Sequence, residues 1–286
     1  MKFTKMHGLG NDYVYINGFE EDLSQVDLPE LARRISDRHF GVGGDGMILI
    51  LPSDKADFRM RIFNIDGSEG RTCGNGLRCV SKYVHDHGLT DRVQFTIETL
   101  GGIVTPVVEL GPGGLVEQVV IDMGEPRLTR RQIPMTGPAE EQVIQYPVVV
   151  ADRTFHMTAV SMGNPHAVLM VDRLDEQDVL KYGPLLEAHE WFPERTNVEF
   201  IQIKNRREIL FKVWERGSGI TLACGTGACA AAVAAILSGR TERNVTVHLP
   251  GGSLKIEWRE SDNHVYMTGP ATEVFTGVYL GEIPQK

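Results

Sequence analysis

The sequence lacks a long hydrophobic run and a recognisable secretion signal. Its longest apolar stretch, residues 228–237, is half of the length that a membrane-spanning helix needs. The first residues, 1–8, contain no apolar segment of the kind found in signal peptides. We therefore expect a cytoplasmic protein that does not act at a membrane.

Positive charge is also scarce. Lysine and arginine total 29 against 38 aspartates and glutamates, which gives a net charge of −9. The arginine pairs at 33–34, 130–131 and 206–207 are scattered along the chain, whereas nucleic-acid-binding proteins display clustered basic residues. We expect no nucleic-acid partner.

Cysteine is rare, and its spacing is not that of a common metal site. The four cysteines are Cys73, Cys79, Cys224 and Cys229, and no two of them form the C-x2-C pattern of zinc knuckles. Cytosolic proteins keep most cysteines as thiols. The sequence therefore predicts thiols, with no metal bound.

Glycine, by contrast, is abundant. The chain has 31 glycines in 286 residues, about 11% against an average near 7%. Hydrophobic residues make up 42% and charged residues 23%, which is ordinary for a globular protein. The length corresponds to about two domains. The glycine excess predicts many turns, and hence a fold rich in short strands.

An internal repeat divides the chain. The segment TCGNGLRC at 72–79 resembles ACGTGAC at 223–229, with an offset of 151 residues (from Cys73 to Cys224). Gly10-Asn11 resembles Gly163-Asn164 at an offset of 153. An alternating apolar run, 58–63 or 209–214, also precedes each of the two cysteines. Three features in one order indicate two similar halves of about 150 residues.

Hydrophobic periodicity predicts more strands than helices. We predict strands at 13–16, 47–51, 58–63, 93–98, 103–108, 116–122, 155–160, 167–171, 197–203, 209–214, 245–249, 254–258 and 265–267, and helices at 29–37, 74–86, 177–189 and 225–238. The last helix is apolar all round, which is typical of a buried helix. The fold class is therefore α/β (α+β), with two pseudo-symmetric domains, each a strand-rich, barrel-like sheet around a central helix. The proline-rich segment 123–142 is predicted to be a linker.

Cys73 and Cys224 are each predicted to lie where a strand turns into a helix. The N–H groups and the dipole at a helix start favour negative charge, so they lower the pKa of a thiol and can hold a carboxylate. Two such thiols on opposite walls of a domain cleft would invert a carbon centre, one removing a proton and the other returning one to the opposite face. The alternative is a tight turn whose cysteine fills the core. For Cys79 and Cys229, further inside the helices, we expect simple packing.

Longer motifs resemble those of the diaminopimelate epimerase family. They are HGLGND at 7–12, FN at 63–64 with CGNG at 73–76, GNPH at 163–166, RTN at 195–197, WERG at 214–217 with ACGTG at 223–227, and GPA at 269–271. The resemblance implies a cofactor-free epimerase that interconverts L,L- and meso-diaminopimelate in lysine and peptidoglycan precursor synthesis. It also implies that the last strand returns to the first domain, which gives domains of 1–123 plus 271–286 and 124–270.

The resemblance assigns roles to individual residues. Cys73 and Cys224 would be the acid–base pair, and His166 and Glu215 would tune the thiols. The substrate-binding set would be Asn11, Asn64, Gly74, Asn75, Asn164, Asn197, Glu215, Arg216, Gly225 and Thr226. Such a set suits a zwitterion, because asparagine both donates and accepts hydrogen bonds and arginine grips carboxylates. The expected partner is the small-molecule substrate diaminopimelate. A homodimer is compatible with the family, although Phe275 stands where some relatives have a tyrosine linked to dimer contacts.

Three alternatives stay open at this point. A proline-racemase-like enzyme would also use two cysteines, but its substrate lacks a second charged end. A dithiol redox or zinc protein would need closer cysteines or added histidine ligands. A non-catalytic binding module would keep its ligand affinity after Cys73→Ala, whereas an epimerase would lose turnover.

Overall fold

The computed structural model describes residues 1–286, in nineteen strands and four helices. The strands are β1 Lys2–Gly8, β2 Asn11–Asn17, β3 Gly46–Leu51, β4 Phe58–Asn64, β5 Glu69–Gly70, β6 Ile97–Thr99, β7 Gly102–Val104, β8 Val107–Leu110, β9 Val116–Asp122, β10 Tyr146–Val150, β11 Arg153–Ser161, β12 Pro165–Met170, β13 Asn197–Asn205, β14 Glu208–Glu215, β15 Gly219–Ile220, β16 Asn244–Leu249, β17 Gly252–Trp258, β18 Val265–Gly269 and β19 Thr272–Val278. The helices are α1 Leu28–Ser36, α2 Gly74–Asp86, α3 Glu176–Glu187 and α4 Gly225–Leu237. No helix is long and apolar enough to cross a membrane.

The chain divides into two compact units. Unit 1 comprises residues 1–121 and 269–286, and unit 2 comprises residues 122–268. In unit 1 the strands lie in the order β19-β1-β2-β3-β4-β6-β7, and β5 pairs with β4. The β2–β3 and β4–β6 pairs are parallel, and the other pairs on this path are antiparallel.

Helix α2 packs against β1, β4, β8 and β19 of unit 1. The amphipathic helix α1 buries Leu31, Ala32 and Ile35 and packs against β2, β3 and β4. Asp27 caps α1 by accepting a hydrogen bond from the Glu30 N–H, and Pro29 lies in the first turn, where its missing N–H has no cost.

Unit 2 has the strand order β10-β11-β12-β13-β14-β16-β17-β18, and β15 pairs with β14. Its parallel pairs are β12–β13 and β14–β16. Helix α4 contacts β11, β12, β13, β14, β16 and β17. The residues of α4 from Ala228 to Ala235 are fully buried, and their small side chains allow strands to approach the helix on every side.

The two units share one topology. From β19 to β7 and from β10 to β17 the parallel pairs fall at the same places in the strand order. In each unit a two-residue strand (β5 or β15) follows β4 or β14, and a 13-residue helix then begins at Gly74 or Gly225. The predicted fold class, with its two related sheet-rich halves, is confirmed.

Some local predictions were wrong. Segment 123–142 is not a linker, because Ile133 and Met135 are buried in the core of unit 2. The predicted strand 103–108 is split into β7 and β8 on either side of 105–106, since Pro106 has no N–H to donate to a strand partner. The predicted strand 93–98 is a strand only from Ile97, where β6 begins, and strands β1, β5, β10, β15 and β19 were not predicted.

Candidate functional site

Both repeated cysteines cap helices. Cys73 precedes α2 with extended backbone angles, and its Sγ accepts a hydrogen bond from the Gly76 N–H at 3.3 Å. Cys224 precedes α4 in the same way, and its Sγ accepts from the Gly227 N–H at 3.4 Å. In each case sulfur takes the place of the side-chain oxygen that usually caps a helix. The motif Cys-Gly-x-Gly therefore places a sulfur among the exposed N–H groups of a helix start, as predicted.

The second glycine of each motif lies close to its neighbours. A Cβ on Gly76 would lie 2.7 Å from Ile48 Cδ1. A Cβ on Gly227 would lie 2.9 Å from Glu199 Oε1 and 3.1 Å from Cys224 Sγ. These contacts are shorter than or at the limit of ordinary packing, so glycine at 76 and 227 permits the close approach of the capped turn to its neighbours.

In unit 1, Cys73 lies in a hydrogen-bonded cluster with Asn11, Asp45 and Asn75, here called the Cys73 group. The Cys73 thiol donates to Asn11 Oδ1 at 3.6 Å, and Asn75 Nδ2 donates to the same oxygen at 3.1 Å. Asn11 Nδ2 donates to Asp45 Oδ2 at 2.8 Å. Because a carboxylate only accepts hydrogen bonds, Asp45 fixes the Asn11 amide with its oxygen toward Cys73.

A charged network supports Asp45, which was not among the predicted site residues. Arg38 Nη2 lies 2.9 Å from Asp45 Oδ1 and 2.7 Å from Asp12 Oδ1. The nearly buried Lys5 bridges Asp12 Oδ2, at 2.6 Å, and the Gly43 carbonyl oxygen. Burial raises the pKa of Asp12, but the hydrogen bonds and charges of Arg38 and Lys5 outweigh it, so the pKa is lowered. Asp12 is therefore ionised at neutral pH.

Two other predicted positions of unit 1 lie at the ends of elements. Asn64 ends β4, and its Nδ2 donates to Ser68 Oγ at 3.0 Å rather than to Asn11 or Asp45. Gly74 is the first residue of α2. A side chain at Gly46 would not fit this backbone, because a Cβ would lie 2.1 Å from the Phe63 carbonyl oxygen.

In unit 2, a continuous chain of contacts leads from Cys224 to a buried acid. Cys224 Sγ lies 3.7 Å from Thr226 Oγ1, and Asn164 Nδ2 donates to that oxygen at 3.3 Å. Asn164 Oδ1 lies 3.0 Å from His166 Nε2, and His166 Nδ1 lies 2.6 Å from Glu199 Oε1. We call these five residues the Cys224 group. The sequence predicted four of them and missed Glu199.

Glu199 and His166 are both fully buried. Burial raises the pKa of Glu199, and the charge and hydrogen bond of His166 only partly offset this effect. The signal for Glu199 was present in the sequence as a single acid inside the apolar strand segment 198–201. Because a charged residue in such a strand usually faces solvent, Glu199 was not predicted to be a buried site residue.

The pKa of Cys224 is shifted in the direction opposite to the one predicted, which was downward. Burial raises the pKa of this thiol well above its usual value, and the charges of Glu215 and Glu199 act in the same direction. Hydrogen bonds from Thr226 and from the Gly227 N–H favour the thiolate but are outweighed. The helix start is therefore not enough to ionise a thiol that is shielded from water and faces two carboxyl groups. Cys224 is held protonated.

Arg216 lies in an exposed turn whose backbone is held by hydrogen bonds to the side chains of Asn197 and Glu187. Asn197 Oδ1 accepts from the Arg216 N–H at 2.9 Å, and Asn197 Nδ2 donates to the Pro165 carbonyl oxygen at 3.0 Å. Glu187 accepts from Trp214 Nε1 at 2.7 Å and from the Gly217 N–H at 3.0 Å. The Asn197 amide therefore orients the backbone of Arg216, a function that its predicted role in substrate binding does not describe.

Glu215 ends β14 and accepts a short hydrogen bond from Thr221 Oγ1. Gly225, the first residue of α4, is buried. Cys79 and Cys229 are fully buried, as predicted, and burial raises the pKa of Cys79 to about 11. Their packing role distinguishes them from the two cysteines that cap helices.

Comparison with known proteins identifies the family. The family model described as "Diaminopimelate epimerase" matches residues 3–129 and 158–274. A Heliobacterium modesticaldum protein named diaminopimelate epimerase is 54% identical over 278 residues, covering 97% of this chain and 99% of the relative. The chain belongs to the diaminopimelate epimerase family. A Bacillus cereus family member is 56% identical over 279 residues, covering 97% and 96% of the two chains. Membership of this family makes the chain an isomerase.

Solved structures of more distant proteins share the fold. A Bacillus anthracis protein of the PhzF phenazine biosynthesis family has a TM-score of 0.69 at 16% identity, covering 99% of both chains. A hydroxyproline epimerase from Agrobacterium vitis has a TM-score of 0.65 at 14% identity, covering 98% of this chain and 91% of its own. At such identities the likeness concerns the fold alone.

Proposed function

We propose that this protein interconverts L,L- and meso-diaminopimelate without a cofactor, as a step in lysine and peptidoglycan precursor biosynthesis, with Cys73 and Cys224 as its acid–base pair. The observation that supports this proposal is the duplication of one local geometry. Each unit of an epimerase-family chain places a cysteine sulfur at a helix start, where it accepts a hydrogen bond from the N–H of a glycine three residues later. Two equivalent thiols suit a reaction that passes a proton from one face of a carbon to the other.

The chemical step needs only these two sulfurs. One thiolate takes the α-proton, so the C–H bond breaks, an S–H bond forms and the electron pair remains on the carbon. The other thiol gives its proton to the opposite face of that carbon, and its sulfur becomes the thiolate. Since burial and two carboxyl groups hold Cys224 protonated, Cys224 acts as the acid in one direction, and Cys73 acts as the base once its thiol has given its proton to water. The reverse reaction exchanges their roles.

The helix starts would stabilise the charge that develops. Backbone N–H groups at Gly74-Asn75 and at Gly225-Thr226 can hold the α-carboxylate, whose negative charge increases as the proton leaves. At the distal end of the substrate, Arg216 suits the second carboxylate and Glu215 suits the second ammonium group. Asn11, Asn64, Asn164 and Asn197 supply amides that pair with either kind of group, directly or by orienting a neighbour.

The decisive experiment is proton NMR of L,L-diaminopimelate with the purified protein in heavy water, under reducing conditions and with no added cofactor. We expect deuterium at one α-carbon as the meso isomer appears. Cys73→Ala and Cys224→Ala should each reduce the rate by at least about 10²-fold. Cys79→Ala, a change at a buried cysteine outside both groups, is the control and should retain turnover.

Absence of exchange by the reduced wild-type protein, or full activity of either helix-capping cysteine variant, would refute the proposal. Proline offered in the same assay tests the racemase alternative. Exchange at proline without exchange at diaminopimelate would favour that alternative.

A further inference from the structure

Glu199 has no part in the proton transfers proposed above, yet its carboxyl group is fully buried, which costs free energy. It lies on β13 between Val198 and Phe200, with no exposed surface, and its Oε2 atom has no hydrogen-bond partner in the structure. Burial of a carboxyl group costs free energy unless its contacts compensate. A backbone hydrogen bond and the 2.6 Å approach of Oε1 to His166 Nδ1 compensate in part.

The opposite side of the His166 ring defines where its hydrogen lies. Asn164 Nδ2 donates to Thr226 Oγ1, so Asn164 turns its oxygen toward His166 Nε2, at 3.0 Å. An amide oxygen only accepts hydrogen bonds, and His166 Nε2 must therefore carry a hydrogen. A further hydrogen lies between Nδ1 and Glu199, because two bare acceptors would repel each other at 2.6 Å. Glu199 and His166 together are electrically neutral, whichever of them holds this hydrogen.

We propose that Glu199 is a positioning residue of the Cys224 group: it anchors His166 through Nδ1, and His166 in turn keeps the Asn164 amide nitrogen directed at Thr226 beside Cys224. The expected effect of Glu199 on turnover rests on the proposed function, whereas its expected effect on the tautomer of His166 does not. Without Glu199, Nδ1 loses its partner, the imidazole is free to change tautomer, and the Asn164 amide is free to rotate by 180°.

Glu199 also touches the helix start itself. Its Oε1 lies 2.9 Å from the position of a Cβ on Gly227, and the Gly227 N–H is the group that donates to Cys224 Sγ. The carboxyl group thus packs against the turn that holds the sulfur as well as against the ring that orients Asn164. Both contacts make Glu199 a support for the cysteine rather than a group that reaches the substrate.

Two substitutions separate positioning from a need for the acid itself. Glu199→Gln retains the shape and can donate an amide hydrogen to Nδ1, which leaves a neutral His166 with hydrogen on Nε2. Its kcat/KM should stay within about threefold of wild type. Glu199→Met has a similar length, leaves no large cavity and offers no strong hydrogen bond. Its kcat/KM should fall by about 10- to 100-fold, as is common when the partner that orients a functional histidine is lost.

A matched control is available in the same unit. Glu208 Oε1 lies 3.0 Å from His248 Nε2 in a partly exposed carboxyl–histidine pair outside the Cys224 group. Glu208→Met should leave turnover unchanged. Circular dichroism and thermal unfolding of all variants establish that each is folded before its rates are compared.

The direct readout is nitrogen NMR of the protein with 15N-labelled histidine, in which His166→Gln identifies the His166 signals. We expect hydrogen on Nε2 in wild type and Glu199→Gln, and a mixture of tautomers in Glu199→Met. Equal loss of activity in the Gln and Met variants would overturn the positioning role in favour of a required proton or charge. Unchanged activity and unchanged His166 signals in Glu199→Met would also overturn it. The NMR result stands even if the wild-type protein proves inactive on diaminopimelate, so the two proposals fail separately.

Discussion

Asp45 holds the amide of Asn11 in a fixed orientation, with Asn11 Nδ2 2.8 Å from Asp45 Oδ2. Asn164, which corresponds to Asn11 in the internal repeat, is held the other way round, because its oxygen faces His166 and its nitrogen faces Thr226. The oxygen of Asn11 is therefore directed at Cys73, whereas the nitrogen of Asn164 donates to Thr226, which lies beside Cys224. The duplicated chain thus presents an acceptor in one unit and a donor in the other.

The orientation of Asn11 should matter for turnover. Asp45→Ala removes the acceptor that fixes the amide, and we expect kcat/KM to fall by about 10- to 100-fold, which corresponds to the loss of one hydrogen bond to a charged group. Asp45→Asn still offers an oxygen to Asn11 Nδ2 and should lose less. Steady-state rates with diaminopimelate check both variants. Asp54→Ala, on the exposed loop after β3, is the control, and equal rates for Asp45→Ala and Asp54→Ala would contradict the assignment.

Gly227 should not tolerate a methyl group. In Gly227→Ala the new Cβ meets Glu199 Oε1 and Cys224 Sγ at 2.9 and 3.1 Å, so the carboxyl group must shift and the sulfur must give way by a few tenths of an ångström. Since a displacement of about 1 Å at a reacting group can reduce the rate by about 10²-fold, this smaller shift should reduce it by about 10-fold. Gly113→Ala is the matched control, since no heavy atom lies within 4 Å of its added Cβ. Rates and thermal unfolding of both variants test the point, and a fully active Gly227→Ala would refute it.

Glu215 should raise the pKa of Cys224. After burial, its negative charge is the strongest influence that disfavours the thiolate. Glu215→Gln removes that charge, so the pKa of Cys224 should fall and more thiolate should be present at any pH below it. The measurement is the rate of iodoacetamide modification of the Cys224 peptide against pH, followed by mass spectrometry. The profile should shift to lower pH in Glu215→Gln and stay in place in Glu208→Gln. A shift to higher pH would contradict the electrostatic assignment.

The pairing of Lys5 with Asp12 should stabilise unit 1 in a pH-dependent way. Lys5→Met leaves Asp12 with Arg38 alone, and we expect a loss of about 1–3 kcal/mol, less than the 3–5 kcal/mol for a fully buried pair. The pKa of Asp12 is lowered in the folded protein, so its contribution is present above its unfolded value of 3.8 and is lost as the pH falls through the folded pKa.

Urea unfolding of wild type and Lys5→Met at a series of pH values tests this expectation. The difference in free energy of unfolding should be full at pH 7 and should shrink at acid pH. Lys2→Met, at the exposed pair of Lys2 with Glu20, should cause little change at any pH. A difference that grows on acidification would contradict the prediction.

The sequence by itself determined the features that depend on near neighbours along the chain. A cysteine followed three residues later by a glycine N–H makes its own capping bond, and so Cys73 and Cys224 could be placed at helix starts from their motifs alone. The repeat likewise revealed two related halves, because the spacing of strands and helices is written directly in the periodicity. The central α4 was evident from a run of small apolar residues that leaves no face for water.

Only the tertiary structure decided what surrounds these motifs. Asp45 lies 34 residues from Asn11 and Glu199 lies 33 residues from His166, and strand pairing, not local spacing, brings each pair together. The raised pKa of Cys224 has the same origin. A helix start favours a thiolate locally, but the exclusion of water and two carboxyl groups from other parts of the fold act more strongly. Burial and long-range electrostatics are properties of the assembled sheet, and no motif contains them.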